Sequence, residues 1–267
     1  MSSAGSFVPV AEVSQRRFGG LDRLYGAAGA ARIAQAHVAI VGIGGVGSWA
    51  AEALARSGVG ELTLIDLDHI AESNVNRQVH ALDSTLGQAK VHAMRERIGG
   101  IHPGCVVHCV EEFAEPGNWP EVLQGAQVDG VIDACDQVHA KAAMAAWARS
   151  HKQLFIASGA AGGKRLAHRI EVADLAQVTH DPLLAQLRYR MRKHHAAPRA
   201  PGKDFDIACV FSREAVAPPD ISCTRQAHVD GTLNCHGYGS TVAVTASFGL
   251  CAAGWIMDVL AKQSKNV

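Results

Sequence analysis

The stretch His37-Val38-Ala39-Ile40-Val41-Gly42-Ile43-Gly44-Gly45-Val46-Gly47 decides the fold of this chain. Residues 37–41 predict a short buried strand, the G-x-G-x-x-G spacing predicts a tight turn, and an alanine-rich segment from Ser48 to Ser57 predicts a helix. Glycine lets a phosphate or ribose approach the backbone, and a helix N-terminus adds partial positive charge. The stretch therefore predicts a strand–turn–helix unit that binds a nucleotide, or, as the simpler alternative, a tight turn without a ligand.

The rest of the chain continues this alternation of strands and helices. Further strands are predicted over 62–67, 105–111, 128–133 and 154–158, with helices over 90–98 and 138–150 between them, and Gly99-Gly100 is expected to stop the first of these helices. Beyond residue 158 we expect a strand at 168–172, a basic helix at 183–195, a strand at 207–211 and an apolar C-terminal helix. The pattern predicts one α/β domain over 1–267, with a doubly wound, Rossmann-like, mostly parallel sheet and a C-terminal decorating half.

Composition narrows the class of protein. The 267 residues include 25 basic and 25 acidic side chains, so no bulk charge attracts nucleic acid, and no DNA partner is expected. The seven cysteines show no CxxC spacing, which speaks against a disulfide framework and against a zinc knuckle; no zinc is expected. The apolar stretch 240–260 has the length of a membrane span, but its small residues and Asp258 favour a buried helix. Without a signal-peptide pattern at the start, a cytoplasmic location is predicted.

A polar segment after the second strand distinguishes between nucleotides. Asp66 ends that strand, where its carboxylate could accept the ribose hydroxyls of NAD or ATP alike, and Asp68 follows. Asn74-Val75-Asn76-Arg77-Gln78 then supplies amide donors and one planar cation, and Lys90 in Gly87-Gln88-Ala89-Lys90 adds a point charge at a helix start. Individually, Arg77 could be a surface ion-pair partner and Lys90 a solvated helix residue. Together, and expected to be exposed in the cleft, they favour a triphosphate over a dinucleotide.

Two acids mark the end of the fourth strand. Asp133 and Asp136 lie in Val131-Ile132-Asp133-Ala134-Cys135-Asp136, and ligands of doubly wound sheets bind at the carboxyl ends of strands. An acid at this place can hold Mg²⁺, which keeps few protein ligands. The alternative for both residues is a helix N-cap or turn role, because a helix is predicted directly after them.

These motifs, in this order and spacing, resemble the adenylation domain of ubiquitin-activating-enzyme-like proteins over about residues 16–160. That group includes the bacterial adenylyltransferases of molybdopterin and thiamine synthesis. The resemblance implies adenylation of a carboxylate by ATP–Mg²⁺, possible use of a monovalent cation, and an N-terminal arginine, Arg17 or Arg23, that reaches the ATP of a partner subunit in a homodimer. It implies an ATP-binding half at 16–160 and a half for substrate binding and dimerisation at 161–267. The implied nucleotide-binding residues are Gly42, Gly44, Gly45, Gly47, Asp66, Asp68, Asn74, Asn76, Arg77, Gln78, Lys90 and Asp133, with Asp136 as the magnesium or catalytic carboxylate.

Over its full length the chain looks most similar to one branch of this family, the tRNA threonylcarbamoyladenosine dehydratases. The matching motifs are Arg17-Phe18-Gly19-Gly20, Gly42 to Trp49, Asn76-Arg77-Gln78-x-His80, Ala173-Asp174-Leu175, Asp181-Pro182-Leu183 and Cys209-Val210-Phe211-Ser212-x-Glu214. The resemblance implies that ATP activates the carboxyl group of the modified nucleoside and that internal attack closes a ring. Two alternatives remain open: an adenylyltransferase for a ubiquitin-like sulfur carrier, and a non-catalytic partner of a cysteine desulfurase.

Two further features have a functional and a structural interpretation. Cys235, next to His236, could be a nucleophile, since a neighbouring histidine lowers a thiol pKa; it could equally be a turn residue at a helix entry. A basic segment over 188–204 is expected to be partly mobile and to contact tRNA phosphates; the alternative is a solvated helix face and loop. Its candidate tRNA-binding residues are Arg188, Arg190, Arg192, Lys193, Arg199 and Lys203.

Overall fold

A seven-stranded sheet organises the part of the protein that the structure describes. The computed structural model describes residues 16–200, 202–218 and 238–263. The strands follow the order β3-β2-β1-β4-β5-β7-β6, and every neighbouring pair is parallel except β6 and β7. Their bounds are β1 (His37–Val41), β2 (Glu61–Ile65), β3 (Val106–Val110), β4 (Gly130–Asp133), β5 (Leu154–Ser158), β6 (Ile170–Asp174) and β7 (Ala208–Ser212). The chain order reverses between β1 and β4, so a crevice forms where their carboxyl ends diverge.

Helices cover both faces of the sheet, which confirms the predicted doubly wound α/β class. Among the described residues, the α-helices are α1 (Gly20–Gln35), α2 (Gly47–Arg56), α3 (Lys90–Ile101), α4 (Val138–His151), α5 (Pro182–His194) and α6 (Val242–Lys262). Ile40 and Leu64 belong to the apolar cluster that includes α2, α3 and α6, whereas Val41 and Ile65 belong to the cluster that includes α4 and α5. Because both faces of the sheet are buried at β1, the sequence of this strand is a nearly continuous apolar run rather than an alternating pattern.

Helix α6 forms part of the core. By length and composition alone it could cross a membrane, with a mean hydropathy of 1.6 over its most apolar window. Its buried residues include Val244, Phe248, Ala252, Ile256 and Leu260, which recur every four residues along one face and pack into the cluster shared with α2. Periodic burial of this kind is typical of a helix that covers a sheet, as the sequence predicted.

The basic segment is more ordered than predicted. Residues 188–194 belong to α5, which agrees with the basic helix predicted at 183–195; of the mobile loop predicted over 188–204, only the described part from His195 onward is loop. The Arg192 side chain donates to the Pro198 carbonyl oxygen at 3.2 Å and lies over the Phe205 ring, 5.2 Å from its centroid. These contacts tie the described part of the loop to the helix.

Helix α3 also differs from its prediction, because it continues through Gly99 and Gly100 to Ile101. Both glycines are solvent-exposed, and a Cβ built on either would meet nothing within 4 Å. Glycine lowers helix stability without forbidding the helix, and packing of Met94 and Ile98 into the core holds this turn in place.

We expect Gly99→Ala to stabilise the protein by about 1 kcal/mol, because alanine loses less backbone entropy in a helix and nothing obstructs its methyl group. Urea unfolding of the variant and the parent measures the difference. Gly249→Ala is the contrasting control: a Cβ there would lie 2.4 Å from the Val46 carbonyl oxygen, so this variant should be destabilised. A destabilised Gly99→Ala protein would contradict the helical account of this turn.

Candidate active site

A cavity of about 680 Å³ opens at the carboxyl ends of the central strands. Its volume is in the range of nucleotide-binding pockets. The glycine turn, the ends of β2, β4 and β5, the N-terminus of α3 and Thr245 of α6 all contribute to its wall. Both sequence halves therefore build the cavity, as the shared sheet requires.

The glycines of the turn have different roles. Gly42 has φ +86°, and a Cβ at Gly47 would lie 1.8 Å from the Gly42 carbonyl oxygen, so the backbone itself requires glycine at both places. At Gly44 the nearest atom to a Cβ would be Gln78 Nε2 at 3.9 Å, an ordinary contact. No described protein atom therefore excludes a side chain at Gly44, and its absence enlarges the space into which a ligand can come close to the backbone.

Asp66 fixes the turn against the second strand. Its Oδ2 accepts a hydrogen bond from the Ile43 backbone N–H at 2.6 Å, and its Oδ1 accepts one from the Asp68 N–H at 2.9 Å. Burial raises the pKa of Asp66 above its ordinary value, while the nearby Lys90 and the two backbone donors oppose that rise. Asp66 thus positions the turn in addition to facing the cavity.

Lys90 connects both acids to the cavity wall. Its Nζ lies 2.6 Å from Asp68 Oδ2 and 3.9 Å from Asp66 Oδ1. Only 6% of Lys90 and 8% of Arg77 are exposed, which corrects the prediction that both would be exposed in the cleft. The physical reason is that each side chain lines the cavity while it is held against neighbouring residues: Arg77 donates to the Ser73 carbonyl oxygen, and Lys90 pairs with Asp68.

The segment 74–78 divides between the cavity and the scaffold. Asn74, Arg77 and Gln78 line the cavity. Arg77 Nη1 donates to the Ser73 carbonyl oxygen at 2.6 Å and to Asn76 Oδ1 at 2.9 Å, which leaves the other guanidinium N–H groups without a partner among the described residues. Asn76 Nδ2 donates to the Ser240 carbonyl oxygen at 3.0 Å. Asn76 therefore orients Arg77 and joins this segment to the entrance of α6; it is not part of the cavity wall as described.

The two acids after β4 have separate environments. Asp133 is fully buried: its Oδ2 accepts from Lys141 Nζ at 2.7 Å and its Oδ1 from the Cys135 N–H at 3.2 Å. The predicted direct contact of Asp133 with a cofactor does not agree with this geometry, because a buried ion pair leaves the carboxylate no access to the cavity. Asp136 is exposed on the cavity wall and accepts one hydrogen bond, from Gln137 Nε2 at 3.2 Å. Of these two acids, Asp136 is thus the one that a metal–nucleotide complex can reach.

Several wall residues were not predicted from the sequence. Phe113 lies in the loop after β3, is 48% exposed and lines the cavity, as do Glu112 and Glu115. The loop 159–162 after β5 is held by Asp181, whose Oδ2 accepts from the Ala160 N–H at 2.9 Å; a Cβ at Gly159 would lie 2.2 Å from that oxygen. The rule that ligands bind beyond the carboxyl ends of strands would have pointed to both loops.

Other predicted residues lie away from the cavity wall. Arg17 donates from Nη1 to the Ile101 carbonyl oxygen at 2.6 Å, and Arg23 is exposed on α1. Of the six basic candidates, Arg190 contacts a residue of the cavity wall: its Nη2 lies 2.8 Å from Nε2 of His139. Arg188 instead donates to two backbone carbonyl oxygens beside β6. Cys235 lies outside the described residues.

Burial makes the described thiols poor nucleophiles. It raises the pKa of Cys105 to about 12 and that of Cys135, on the cavity wall, well above its ordinary value. The Cys135 Sγ also donates to Asp133 Oδ1 at 3.0 Å. A thiol acts as a nucleophile through its thiolate, so the described part of the site offers no activated cysteine.

His80, the histidine of the Asn-x-Asn-Arg-Gln-x-His motif, is 2% exposed. Neither ring nitrogen has a hydrogen-bond partner within the part of the chain that the structure describes. Burial lowers its pKa to about 4, with smaller contributions from the charges of Lys90 and Arg97. His80 is therefore neutral near pH 7, and protonating it opposes folding.

We expect this burial to produce an acid-dependent loss of stability. The folded pKa of about 4 lies below the unfolded value of 6.5, so the unfolded state gains a proton first as the pH falls from 6.5 to 4. At the end of this window the loss amounts to about 3 kcal/mol. Urea unfolding of the parent and of His80→Leu between pH 7 and pH 4 tests this: the parent should lose about 3 kcal/mol more. Parallel curves for the two proteins would contradict it.

Comparisons with known proteins identify the family of this chain. Residues 19–266 match the family model described as "ThiF family". The tRNA threonylcarbamoyladenosine dehydratase of Haemophilus influenzae is 42% identical over 93% of this chain and 95% of its own length, and that of Escherichia coli is 41% identical over 97% and 99%.

Solved structures give the same result. The Escherichia coli dehydratase in complex with ATP superposes with a TM-score of 0.83 at 39% identity, and its AMP complex with a TM-score of 0.84 at 40% identity; both alignments cover 95% of this chain and 97% of the other. By contrast, the adenylyltransferase and sulfurtransferase MOCS3 of Drosophila sechellia is 33% identical over 43% of this chain and 25% of its own length. The chain thus belongs to the ThiF family, in the branch of the tRNA threonylcarbamoyladenosine dehydratases.

Proposed function

We infer that this protein uses ATP to dehydrate threonylcarbamoyladenosine in tRNA through an acyl-adenylate. The observation that carries this function is the wall of the cavity, where an open approach at Gly44 is combined with Arg77, Lys90 and the exposed carboxylate of Asp136. Two cations, backbone donors and one acid are what a triphosphate with a metal ion needs, whereas a nicotinamide dinucleotide needs fewer cations.

Each part of the ATP has a corresponding group in the cavity. Arg77 and Lys90 hold the phosphates, together with the side-chain amide N–H groups of Asn74 and Gln78, which also line the cavity. Asp66 and Asp68 accept the ribose hydroxyls at the end of β2. Phe113, an exposed ring on the cavity wall, offers an apolar face to the adenine.

Asp136 is the residue that would hold Mg²⁺. Its carboxylate is exposed and makes one hydrogen bond, so oxygen atoms remain free for a hard cation. When bound, Mg²⁺ neutralises charge on the phosphates and polarises the α-phosphate. A monovalent cation beside the ATP is a second, separate expectation from the family resemblance.

The chemistry needs activation and proximity. A carboxylate oxygen of the nucleoside attacks the α-phosphate, and pyrophosphate leaves. The carbamoyl group of the same modification then attacks the acyl carbon, a ring closes, and AMP leaves with the former carboxylate oxygen. Because nucleophile and acyl group belong to one molecule, the second step is intramolecular and needs no enzyme thiol. This agrees with the raised pKa of Cys135.

We propose that the tRNA enters over α5 and the N-terminus of α4. Arg190 and His139 lie 2.8 Å apart at the cavity, and Lys193, Arg199 and Lys203 are exposed farther along the same segment. Phosphate contacts there would make tRNA affinity fall steeply with salt. A cytoplasmic location follows from the substrate.

We also propose a homodimer in which Arg17 or Arg23 serves the site of the other subunit. In support, exposed apolar side chains lie beside the phosphate-binding segment, among them Leu67, Val75, Leu82 and Leu86. Mixing Lys90→Ala subunits with Arg23→Ala subunits should restore part of the activity if Arg23 acts across the interface. A cysteine desulfurase is a further proposed partner, which co-purification would test.

The decisive experiment measures the mass of the tRNA nucleoside. Incubation with ATP, Mg²⁺ and modified tRNA should release AMP and lower the nucleoside mass by that of one water molecule. Unchanged nucleoside mass despite ATP turnover would refute the function. Pyrophosphate exchange stimulated by a Gly-Gly-tailed carrier and not by tRNA would favour a sulfur-carrier adenylyltransferase. An intact desulfurase complex without ATP binding would favour a non-catalytic partner.

A further inference from the structure

Three potential metal ligands converge at the edge of the sheet opposite the cavity. They are His37, Glu61 and His108, and their ligand atoms all lie within 4.8 Å of one another. In the register of the sheet, His37 pairs with Glu61, and His108 pairs with Thr63, two residues beyond Glu61. Paired residues of parallel strands, and residues two apart on one strand, share a face. All three side chains therefore project from the same face of β1, β2 and β3.

The carboxylate lies between the two imidazoles. Glu61 Oε1 is 2.7 Å from His108 Nε2 and 3.6 Å from His37 Nδ1, and the two ring centroids are 5.7 Å apart. Ligand atoms of a tetrahedral zinc ion are separated by roughly 3.3 Å, given bonds of about 2.0 Å. The separation between Glu61 and His37 is already close to that value, and the two separations that involve His108 require a movement of its side chain. His108 can make this movement, because its side chain is 50% exposed on the edge strand β3.

Both ring nitrogens of His37 have polar partners. Its Nε2 lies 2.8 Å from the Thr63 hydroxyl oxygen, while its Nδ1 lies 3.1 Å from the Gln127 carbonyl oxygen and faces Glu61. Nδ1 is thus surrounded by acceptors only, so a proton or a metal ion must lie between them. With a metal on Nδ1, the Nε2–H group donates to Thr63, which is the usual outer-shell support of a ligating histidine.

We propose that His37, Glu61 and His108 bind one divalent transition-metal ion of the Zn²⁺ class. Two imidazoles and a carboxylate suit Zn²⁺ and its neighbours better than Mg²⁺ or Ca²⁺, which prefer oxygen ligands only. Glu61 and His108 remain 40% and 50% exposed, so the ion can enter from solvent and keep water in its remaining positions. The site lies one strand length, about 16 Å, from the nucleotide cavity. Its role is to join three neighbouring strands, at the first residues of β1 and β2 and the middle of β3, and it takes no part in the chemistry.

The test is a zinc titration of the untagged, metal-stripped protein against a chromogenic chelator, with Co²⁺ absorption as a second readout. The parent should bind one ion tightly. His108→Ala should bind that ion at least tenfold more weakly, and Glu61→Gln should weaken it as well. Zinc should raise the Tm of the parent by about 5 °C and leave that of His108→Ala unchanged.

A second histidine–glutamate pair provides the matched control. His92 Nε2 lies 2.7 Å from Glu111 Oε1, the same separation as between His108 and Glu61, but no third ligand joins this pair among the described residues. His92→Ala should therefore retain the tight site. Equal zinc affinity of His108→Ala and the parent, or absence of tight binding by the parent, would overturn the proposal. Metal-free His108→Ala with the Tm and ATP affinity of the metal-free parent shows that the substitution has not disturbed the fold.

Discussion

Lys90→Ala is expected to lower ATP-dependent AMP release by about a thousandfold, because it removes a preorganised cation from the reacting phosphates. The structure adds a cost in stability that the sequence did not predict. Lys90 is buried and opposes the rise in the pKa of Asp66 that burial causes. Without Lys90, a higher pH is needed to ionise Asp66.

The sign of that stability effect can be checked by pH. Because the pKa of Asp66 in the folded protein lies above its ordinary value, ionising Asp66 opposes folding. The contribution of Asp66 to the free energy of unfolding is therefore present at acid pH and is lost as the pH rises through the folded pKa. The variant should therefore be less stable than the parent near pH 7 and approach it in acid. Urea unfolding at both pH values measures this, and AMP release is assayed under conditions where the variant is folded.

Lys262→Ala is the matched control for Lys90→Ala. Lys262 makes a 2.6 Å ion pair with Asp258, the same separation as between Lys90 and Asp68, but it is exposed at the end of α6. Surface pairs of this kind contribute little to stability. If Lys90→Ala releases AMP at the parental rate, the assignment of Lys90 to the phosphates is refuted. If Lys262→Ala loses as much AMP release as Lys90→Ala, the effect is not specific to the cavity lysine.

Asp136→Asn is expected to lower the rate of pyrophosphate release by about a thousandfold, while metal-free ATP affinity changes less than threefold. The variant keeps the size of the side chain, removes its charge and replaces one acceptor oxygen by an NH2 donor. Asp136 is exposed, so unfolding free energy should change by less than about 0.5 kcal/mol. The reaction rate is measured by pyrophosphate release, the ATP affinity by titration with and without Mg²⁺, and the free energy of unfolding by urea.

Gln137→Ala is the corresponding control, since Gln137 Nε2 donates the hydrogen bond that Asp136 accepts. If the charge of Asp136 matters and its exact rotamer does not, Gln137→Ala retains most of the activity. Parental turnover of Asp136→Asn would exclude Asp136 as the magnesium-binding acid and return attention to the other exposed acids of the wall, Asp68, Glu112 and Glu115.

The sequence predicted the sheet, the turn and most helices because each depends on local physics. Apolar runs of residues indicated β1, β2, β4 and β5. The G-x-G-x-x-G motif indicated the turn, because its backbone conformation and close packing require glycine at Gly42 and Gly47. The error at Gly99-Gly100 has the opposite cause: local propensity favoured a stop, and packing of Ile98 extended the helix. Local rules fail where tertiary contacts outweigh about 1 kcal/mol of propensity.

What the sequence by itself determined is the fold class, the adenylation motifs and the family. Those follow from residue types at short spacing, which the chain displays directly. Only the tertiary structure decided that Asp133 is bound by Lys141 while Asp136 faces the cavity, that Lys90 and Arg77 are buried, and that His37, Glu61 and His108 meet. The physical reason is that burial and long-range pairing depend on the register of strands that lie far apart in the chain. No local sequence pattern determines which of these side chains is exposed to solvent.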